Sequence, residues 1–493
     1  MINNICIKIT SIVIIAVFLL SNCFTQVGFT APYAEKLRQK ATAEDANGVG
    51  NLEEDLGMGR RGFLRTVGLG LAGLALSQFP SLAQGQIKYL ADIDALASEH
   101  FLKDGLDFID IQRIQGQEVV LPVNIPAQVL IQYHNKRGKP FKGFNFNGLC
   151  RSYISDSKNS NWPAGARYLA EYGRVHIYDA SLAILADLAA GRIDQAKKGV
   201  NALIELGKDE QALGFTGGWH FSYNTSGDSW LDPRAPMGGT LWAIKAIYEY
   251  VRVALKDSKL RQEAVNHLDW TNEMVKELVF QLQVMNPEGS RYGLIRAMKY
   301  NALLDEINPK TAKRYTMDEI GYRAYQGNQN KISEQIIFEH NADLADVYRL
   351  AAIANKEAGQ KDMAFVKELS SRHEILMNAI WEKAWVVDHF VTAMNPDGTL
   401  NESVAIDNNT WLAQVFLPYD EERAWQAIEY VWNEFRTRGK NGEIATKVED
   451  LVLEDTPASL QQKYANEKFA GISFFDEGLV ILMCLFLKKN ATN

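Results

Sequence analysis

Cysteine and histidine are scarce in this chain, with four and eight respectively among 493 residues. Cys6 and Cys23 fall in an apolar leader-like segment, which leaves Cys150 and Cys484 for the folded part. That pair allows one disulfide. Cys484, however, sits in the apolar run from Leu479 to Leu487, patterned as a core helix, where a free thiol is the commoner state. No His/Cys spacing of the metal-ligand kind occurs, so neither a metal nor a cofactor is expected. Positive charge is short as well. A formal net charge of −8 with no basic block has the wrong sign for a phosphate backbone, and nucleic acid is excluded as a partner. At 47% hydrophobic and 23% charged, the composition is that of a soluble globular chain with room for one large core or two domains. Aromatic residues are abundant: ten Trp and 19 Tyr exceed what a plain helical bundle needs, and such rings commonly floor carbohydrate sites.

Two apolar runs lie near the start. The first, Ile9 to Leu20, follows Lys8; the second, Val67 to Leu76, follows Gly59-Arg60-Arg61-Gly62-Phe63-Leu64-Arg65. Paired arginines, a following Phe-Leu and a Gly/Ala-rich weakly apolar stretch resemble a twin-arginine export signal, and Ser81-Leu82-Ala83 supplies a small-x-small cleavage site. Met58 precedes the pair, so residues 1–57 read as an upstream extension and 58–83 as the signal peptide. The alternative is that the first run is itself the signal or an anchor, with Leu20-Ser21-Asn22-Cys23 a faint lipoprotein box. Either way we expect a periplasmic or secreted protein. On the first reading the twin-arginine export machinery is a partner, and no stable membrane insertion is expected after signal removal.

Residues 84–165 read as a small mixed region: a helix around Ile93 to Phe108, extended pieces at Glu118 to Val123 and Ala127 to Tyr133, then Gly- and Asn-rich loops. From Ala166 the period changes to 3.6. Tyr178 to Leu188 is small and aliphatic nearly all round, the mark of a buried helix, and Ile193 to Leu206 is an amphipathic partner closing a helical hairpin. The alternation repeats. Inner helices open near Asp179, Gly239, Glu339, Asp407 and Glu477, at intervals of 60, 100, 68 and 70 residues. The longest interval leaves room for one more hairpin, around Tyr292 to Leu304 and Met317 to Tyr325, which makes six. Long loops precede inner helices and short turns follow them. That asymmetry is what a ring of hairpins gives, with all inner N-termini and their loops at one end. The expected fold is all-α, a toroid over residues 166–488.

Four motifs sit at those helix starts: Tyr178-Asp179-Ala180-Ser181-Leu182-Ala183, Glu339-His340-Asn341-Ala342-Asp343, Asp407-Asn408-Asn409-Thr410-Trp411, and Glu477-Gly478. In order and at hairpin spacing, they resemble the six-hairpin glycosidase superfamily of (α/α)6 toroids, in particular its exported bacterial members. Family members often read Phe-Glu-Gly-Thr near the end. Here the chain has Phe475-Asp476-Glu477-Gly478-Leu479, with Leu in place of Thr, a departure that bears on Glu477.

The densest cluster is Phe338 to Tyr348. Glu339 and Asp343 are four residues apart, on one face of an otherwise apolar helix, where like charges cost stability. A glycosidase needs a protonated acid and a base, about 6.5–9.5 Å apart in inverting enzymes and about 5–5.5 Å in retaining ones. Glu339, with Phe338 and Asp343 as neighbours that raise a carboxyl pKa, is the candidate acid; Asp179 is the candidate base or substrate ligand, or else a helix cap. Asp343 and Glu477 complete the catalytic candidates. Substrate binding is expected of His340, Asn341, Asp407 and Trp411, and of the long aromatic loop from Gly214 to Arg234. There Trp219, Tyr223 and Trp230 would stack on sugar faces while Asp228, Asp232 and Arg234 meet hydroxyls or a carboxylate, with His220 also a binding candidate that, like His340, could serve a different mechanism; alternatively the loop packs on itself. Three functions stay open: a glycoside hydrolase, a polysaccharide lyase using His or Tyr on a uronate, and a non-catalytic glycan-binding toroid.

Overall fold

The computed structural model describes residues 106–107, 109–110, 112–116, 119–120, 124–152, 174–225, 231–321, 323–326, 328–359, 363–438 and 444–446. Nearly all of these residues belong to one compact unit, which holds every helix and strand labelled below. Both apolar runs, the arginine pair, Asp228, Trp230 and Glu477 lie outside the described residues. Among the described residues no helix is long and apolar enough to cross a membrane.

The helices are α1 (Ala127–Arg137), α2 (Ile177–Ala189), α3 (Ile193–Ala212), α4 (Met237–Ala254), α5 (Arg261–Met274), the short α6 (Met317–Gly321), α7 (Phe338–Glu357), α8 (Met363–Lys383), α9 (Ile406–Phe416) and α10 (Glu421–Phe435). Helix α5 runs on through a π-helical stretch, Val275–Val279, to Leu282. Neighbouring inner helices pack in succession, α2 on α4, α4 on α7 and α7 on α9, and each is backed by its outer partner, α3, α5, α8 or α10. Four helical hairpins are thus described, set side by side. The reason is legible in burial: α2 hides Ala180 through Asp187 without a break, and α4 hides both sides of its length, whereas outer helix α3 alternates buried and solvated turns. Asp187, fully buried, is held by Arg113 Nη2 at 2.6 Å and Arg192 Nε at 3.1 Å, which offsets the cost of placing its charge there.

Two expectations fail. Residues 127–133 are helical, not extended: Pro126 stands at the N-cap, and Gly138, in the left-handed region at φ 67, closes the helix by donating its N–H to His134 O at 2.8 Å. The hairpin placed around Tyr292 to Leu304 and Met317 to Tyr325 does not form either, and α4 packs directly on α7. The segment holds short strands, a 3-10 turn (Ala302–Asp305) and the five-residue α6. Its punctuation prevents a long helix: Gly293 has φ +88, and the Asn301 and Asn308 side chains each accept a backbone N–H two residues on.

Short strands organise the mouth of the ring. They are β1 (Arg174–His176), β2 (Ser222–Asn224), β3 (Arg234–Pro236), β4 (Met298–Tyr300), β5 (Lys331–Ile332), β6 (Ile336–Ile337), β7 (Ala393–Met394) and β8 (Leu400–Asn401). Strands β1, β3 and β6 lead straight into α2, α4 and α7. Each pairs antiparallel with a strand from the loop that leads to the next inner helix: β1 with β2, β3 with β4, and β6 with β7. A belt of main-chain hydrogen bonds therefore fixes the height of successive inner N-termini relative to one another.

Candidate active site

That common height makes the inner helices comparable residue by residue. Counting from Ile177, Met237, Phe338 and Ile406, the third positions are Asp179, Gly239, His340 and Asn408, and the sixth are Leu182, Trp242, Asp343 and Trp411. The last three of these meet. Trp411 Nε1 donates to Asp343 Oδ1 at 3.0 Å, and the Trp242 and Trp411 rings lie 5.4 Å apart at 31°. Tyr178 of α2 sets its edge on Trp242 at 5.2 Å. Asp343 is only 3% exposed, and its Oδ2 has no hydrogen-bond partner. Burial pushes this carboxyl up to about 8, against the pull of the Lys245 ammonium and the indole N–H groups. The site thus favours the protonated form of this carboxyl.

One turn deeper, at the ninth positions, Lys245 Nζ lies 2.6 Å from Asp346 Oδ2. It also sits 4.3 Å from the Trp242 ring centre and 4.9 Å from that of Trp411, a cation–π arrangement that favours the charged amine. Arg349 Nε donates to the other Asp346 oxygen at 3.1 Å. Although burial opposes it, the two cations hold Asp346 far below the usual carboxylate range.

Gly238 explains how close α4 and α7 come. A Cβ built there would lie 2.7 Å from His340 Cδ2, 2.9 Å from its Nε2 and 3.6 Å from Asp343 Oδ2, so any side chain would displace the histidine. Gly239 next to it meets nothing nearer than Tyr178 N at 4.0 Å. The first turn of α4 is thus a bare strip between the α7 groups and the start of α2. Burial lowers His340 to about 4, with the Ala297 backbone opposing, and its imidazole is neutral. Asp179, half-buried on the α2 side, is raised to about 6 by burial, with the Ser152 hydroxyl restraining the shift. Glu339 is half-buried in the first turn of α7, and Asp407 stands in the first turn of α9.

Several expected ligands turn inward instead. Trp219 is 1% exposed, donates Nε1–H to Leu203 O at 2.8 Å and packs its edge on Trp270. His220 and Tyr223 are equally buried around Glu210: His220 Nδ1 lies 2.7 Å from Glu210 Oε1, the Tyr223 hydroxyl donates to the same oxygen at 2.6 Å, and Tyr325 donates to Oε2 at 2.6 Å. These side chains close the loop on itself and cannot stack on a sugar. Asn341 is a structural clasp. Its Oδ1 accepts from Ile295 N at 2.7 Å and its Nδ2 donates to Ile337 O at 2.7 Å. Asn409 does the same at the same fourth position of α9, accepting from Phe390 N at 2.7 Å and donating to Ala405 O at 3.0 Å. Arg234 stays at the mouth, in a two-bond pair with Asp232 at 3.0 and 2.8 Å. Trp242 and Lys245 were not expected at the site, although a lysine in the otherwise uncharged first half of α4 was a signal.

Among the described residues no cluster of His, Cys, Asp or Glu could hold a metal ion. No protein-family model and no curated relative matches the sequence. Solved structures similar to it include a sugar epimerase from a ruminal bacterium (13% identity, 66% of this chain and 74% of that one, TM-score 0.41). A D-mannose isomerase (11%, 65% and 70%, TM-score 0.38) and the cellobiose 2-epimerase of Spirochaeta thermophila DSM 6192 (12%, 65% and 72%, TM-score 0.36) are similar too. The likeness is distant. Among the described residues the chain forms an array of four helical hairpins, the inner helices packed in succession and each backed by an outer partner.

Proposed function

We propose that this chain is an exported carbohydrate-active enzyme, a glycoside hydrolase in which Asp343 gives the proton and Asp179 activates water. One observation supports this above the others: a buried carboxyl held on one oxygen by an indole N–H while the other oxygen has no partner, in a site whose burial favours the protonated form. The proton on Oδ2 passes to the glycosidic oxygen as that bond breaks. The carboxylate left behind is stabilised by the Trp411 N–H and the nearby Lys245 charge, donors already in place before the reaction. Asp179, ionised above about pH 6, takes a proton from the water that attacks the sugar carbon. The acid role thereby moves from Glu339 to Asp343, one turn deeper.

Asp343→Asn keeps the acceptor for Trp411 and cannot donate a proton. Turnover of an unactivated glycan falls by about 10²–10⁴, while an aryl glycoside with a good leaving group loses far less. Glu339→Gln, assayed beside it on neutral β-glucans and uronate polymers, separates the two carboxyls. Undiminished turnover of an unactivated glycan by Asp343→Asn removes Asp343 from the mechanism.

A second reading rests on His340. A neutral imidazole beside a protonated carboxyl is a base and acid pair suited to removing and returning a proton on a sugar carbon, as a lyase or an epimerising enzyme requires. Incorporation of solvent deuterium at a sugar carbon, or absorbance from a new C=C bond, identifies that chemistry; hydrolysis gives neither.

A further inference from the structure

Asp343 and Asp346 sit one turn apart on α7, and both face the single ammonium that α4 sends between them. Lys245 Nζ is 2.6 Å from Asp346 Oδ2, both side chains are about 15% exposed, and the amine is fixed over the Trp242 and Trp411 rings that flank Asp343. In so desolvated a place one ammonium cannot neutralise two carboxylates at full strength. Asp346, also bonded by Arg349, takes it. We propose that Lys245 is a positioning residue for the reacting carboxyl: paired with Asp346, it leaves Asp343 its proton, and it supplies the charge that stabilises Asp343 once the proton has gone. This rests on the hydrolase reading only for the purpose the proton serves.

Lys245 and Asp346 act on Asp343 through their charges, and other titratable groups stand on the neighbouring helices. Lys245 belongs to α4, with Glu249 one turn deeper; Asp346 and Arg349 belong to α7, with Glu339 and His340 toward the mouth. Asp179 stands at the start of α2, Asp407 in the first turn of α9, and His373 of α8 lies near Arg349 and Asp346. Lys245 is the cation among them that acts directly on Asp343, and Asp346 is what competes for it.

Two substitutions therefore push Asp343 in opposite directions. Lys245→Met removes the opposing charge, so Asp343 holds its proton to higher pH. Asp346→Asn frees the ammonium for Asp343, so the proton leaves at lower pH. The readout needs no substrate: tryptophan fluorescence of the full chain is titrated between pH 5 and 10, and the component lost in Trp411→Phe reports Asp343 through its bonded indole. We expect the midpoint to move by about one pH unit upward in the first variant and downward in the second, with Lys245→Arg restoring the parent value. Loosened packing alone would move both midpoints the same way. Shifts of the same sign, or no shift in Asp346→Asn, overturn the proposal. Because the titration is made without substrate, its outcome is independent of whether Asp343→Asn abolishes turnover.

Discussion

Keeping a proton on a buried carboxyl has a thermodynamic signature that Asp343→Asn should erase. The folded protein holds the Asp343 proton up to about pH 8, whereas an unfolded aspartate releases it near 3.8. Between those values the folded state binds a proton that the unfolded state does not, so stability falls as pH rises, by about 1.4 kcal/mol per unit. Asparagine carries no such proton, and its Oδ1 still accepts from Trp411. The variant's advantage over the parent should therefore grow by about 2–3 kcal/mol from pH 5.5 to 8 and then level off. A comparison is needed because other groups titrate in the same range. His340 and His176, both lowered to about 4, bind protons preferentially when unfolded, so their contribution is lost as pH falls from 6.5 toward 4, the opposite sign. Asp179 shares the sign of Asp343, but its effect ends near pH 6. These terms are common to parent and variant and cancel in the difference. Urea unfolding at pH 5.5, 7 and 8.5, with equal m-values, measures it. A difference that stays flat across that range would show that Asp343 is ionised in the folded protein, and the assignment of Asp343 as acid would fall with it.

Two further outcomes test the packing around the site. Gly238→Ala, whose Cβ would lie 2.7 Å from the His340 ring, should cost about 1–3 kcal/mol and lower the melting temperature; Gly239→Ala, with nothing nearer than 4.0 Å, should be neutral or stabilising by up to about 1 kcal/mol. Equal effects at the two glycines would refute the close approach of α4 and α7. Asn341→Ala and Asn409→Ala each orphan a buried N–H, of Ile295 and Phe390 respectively, and should each cost about 1–3 kcal/mol in chemical denaturation.

The inner helices and their outer partners were legible in the sequence, because α2, α4, α7 and α9 are apolar at helical period and the turns to their outer partners are short. The mouth was not. Strands of two or three residues such as β6 carry no periodicity to read, and their pairing depends on loops far away in the chain. The extra hairpin was inferred from interval length alone, and length cannot distinguish a helical pair from a belt of strands stitched by asparagines. For the aromatic loop, composition pointed outward while the burial of Trp219 points inward. A buried carboxylate, Glu210, outcompetes solvent for Tyr223 and His220, and that carboxylate sits on the preceding helix, where no local pattern reveals it.

The site itself was half legible, and the missing half is a matter of register. Glu339, His340, Asn341 and Asp343 stand together in the chain and looked like one functional run, yet a helix sends successive residues in different directions. Only at equal height across α4, α7 and α9 do their tasks separate. At the fourth position Asn341 and Asn409 clasp the lead-in loops. At the sixth, Trp242, Asp343 and Trp411 form the protonated cluster, and at the ninth Lys245 meets Asp346. Asp179, in the first turn of α2, is raised by burial to about 6. Asp343, one turn further along its helix and between two indoles, is raised more, whereas Asp346, a turn deeper still, is held ionised by Lys245 and Arg349. Neighbouring charge together with depth therefore decides which carboxyl can act as the acid, and depth is set by the strand belt that aligns the helix starts.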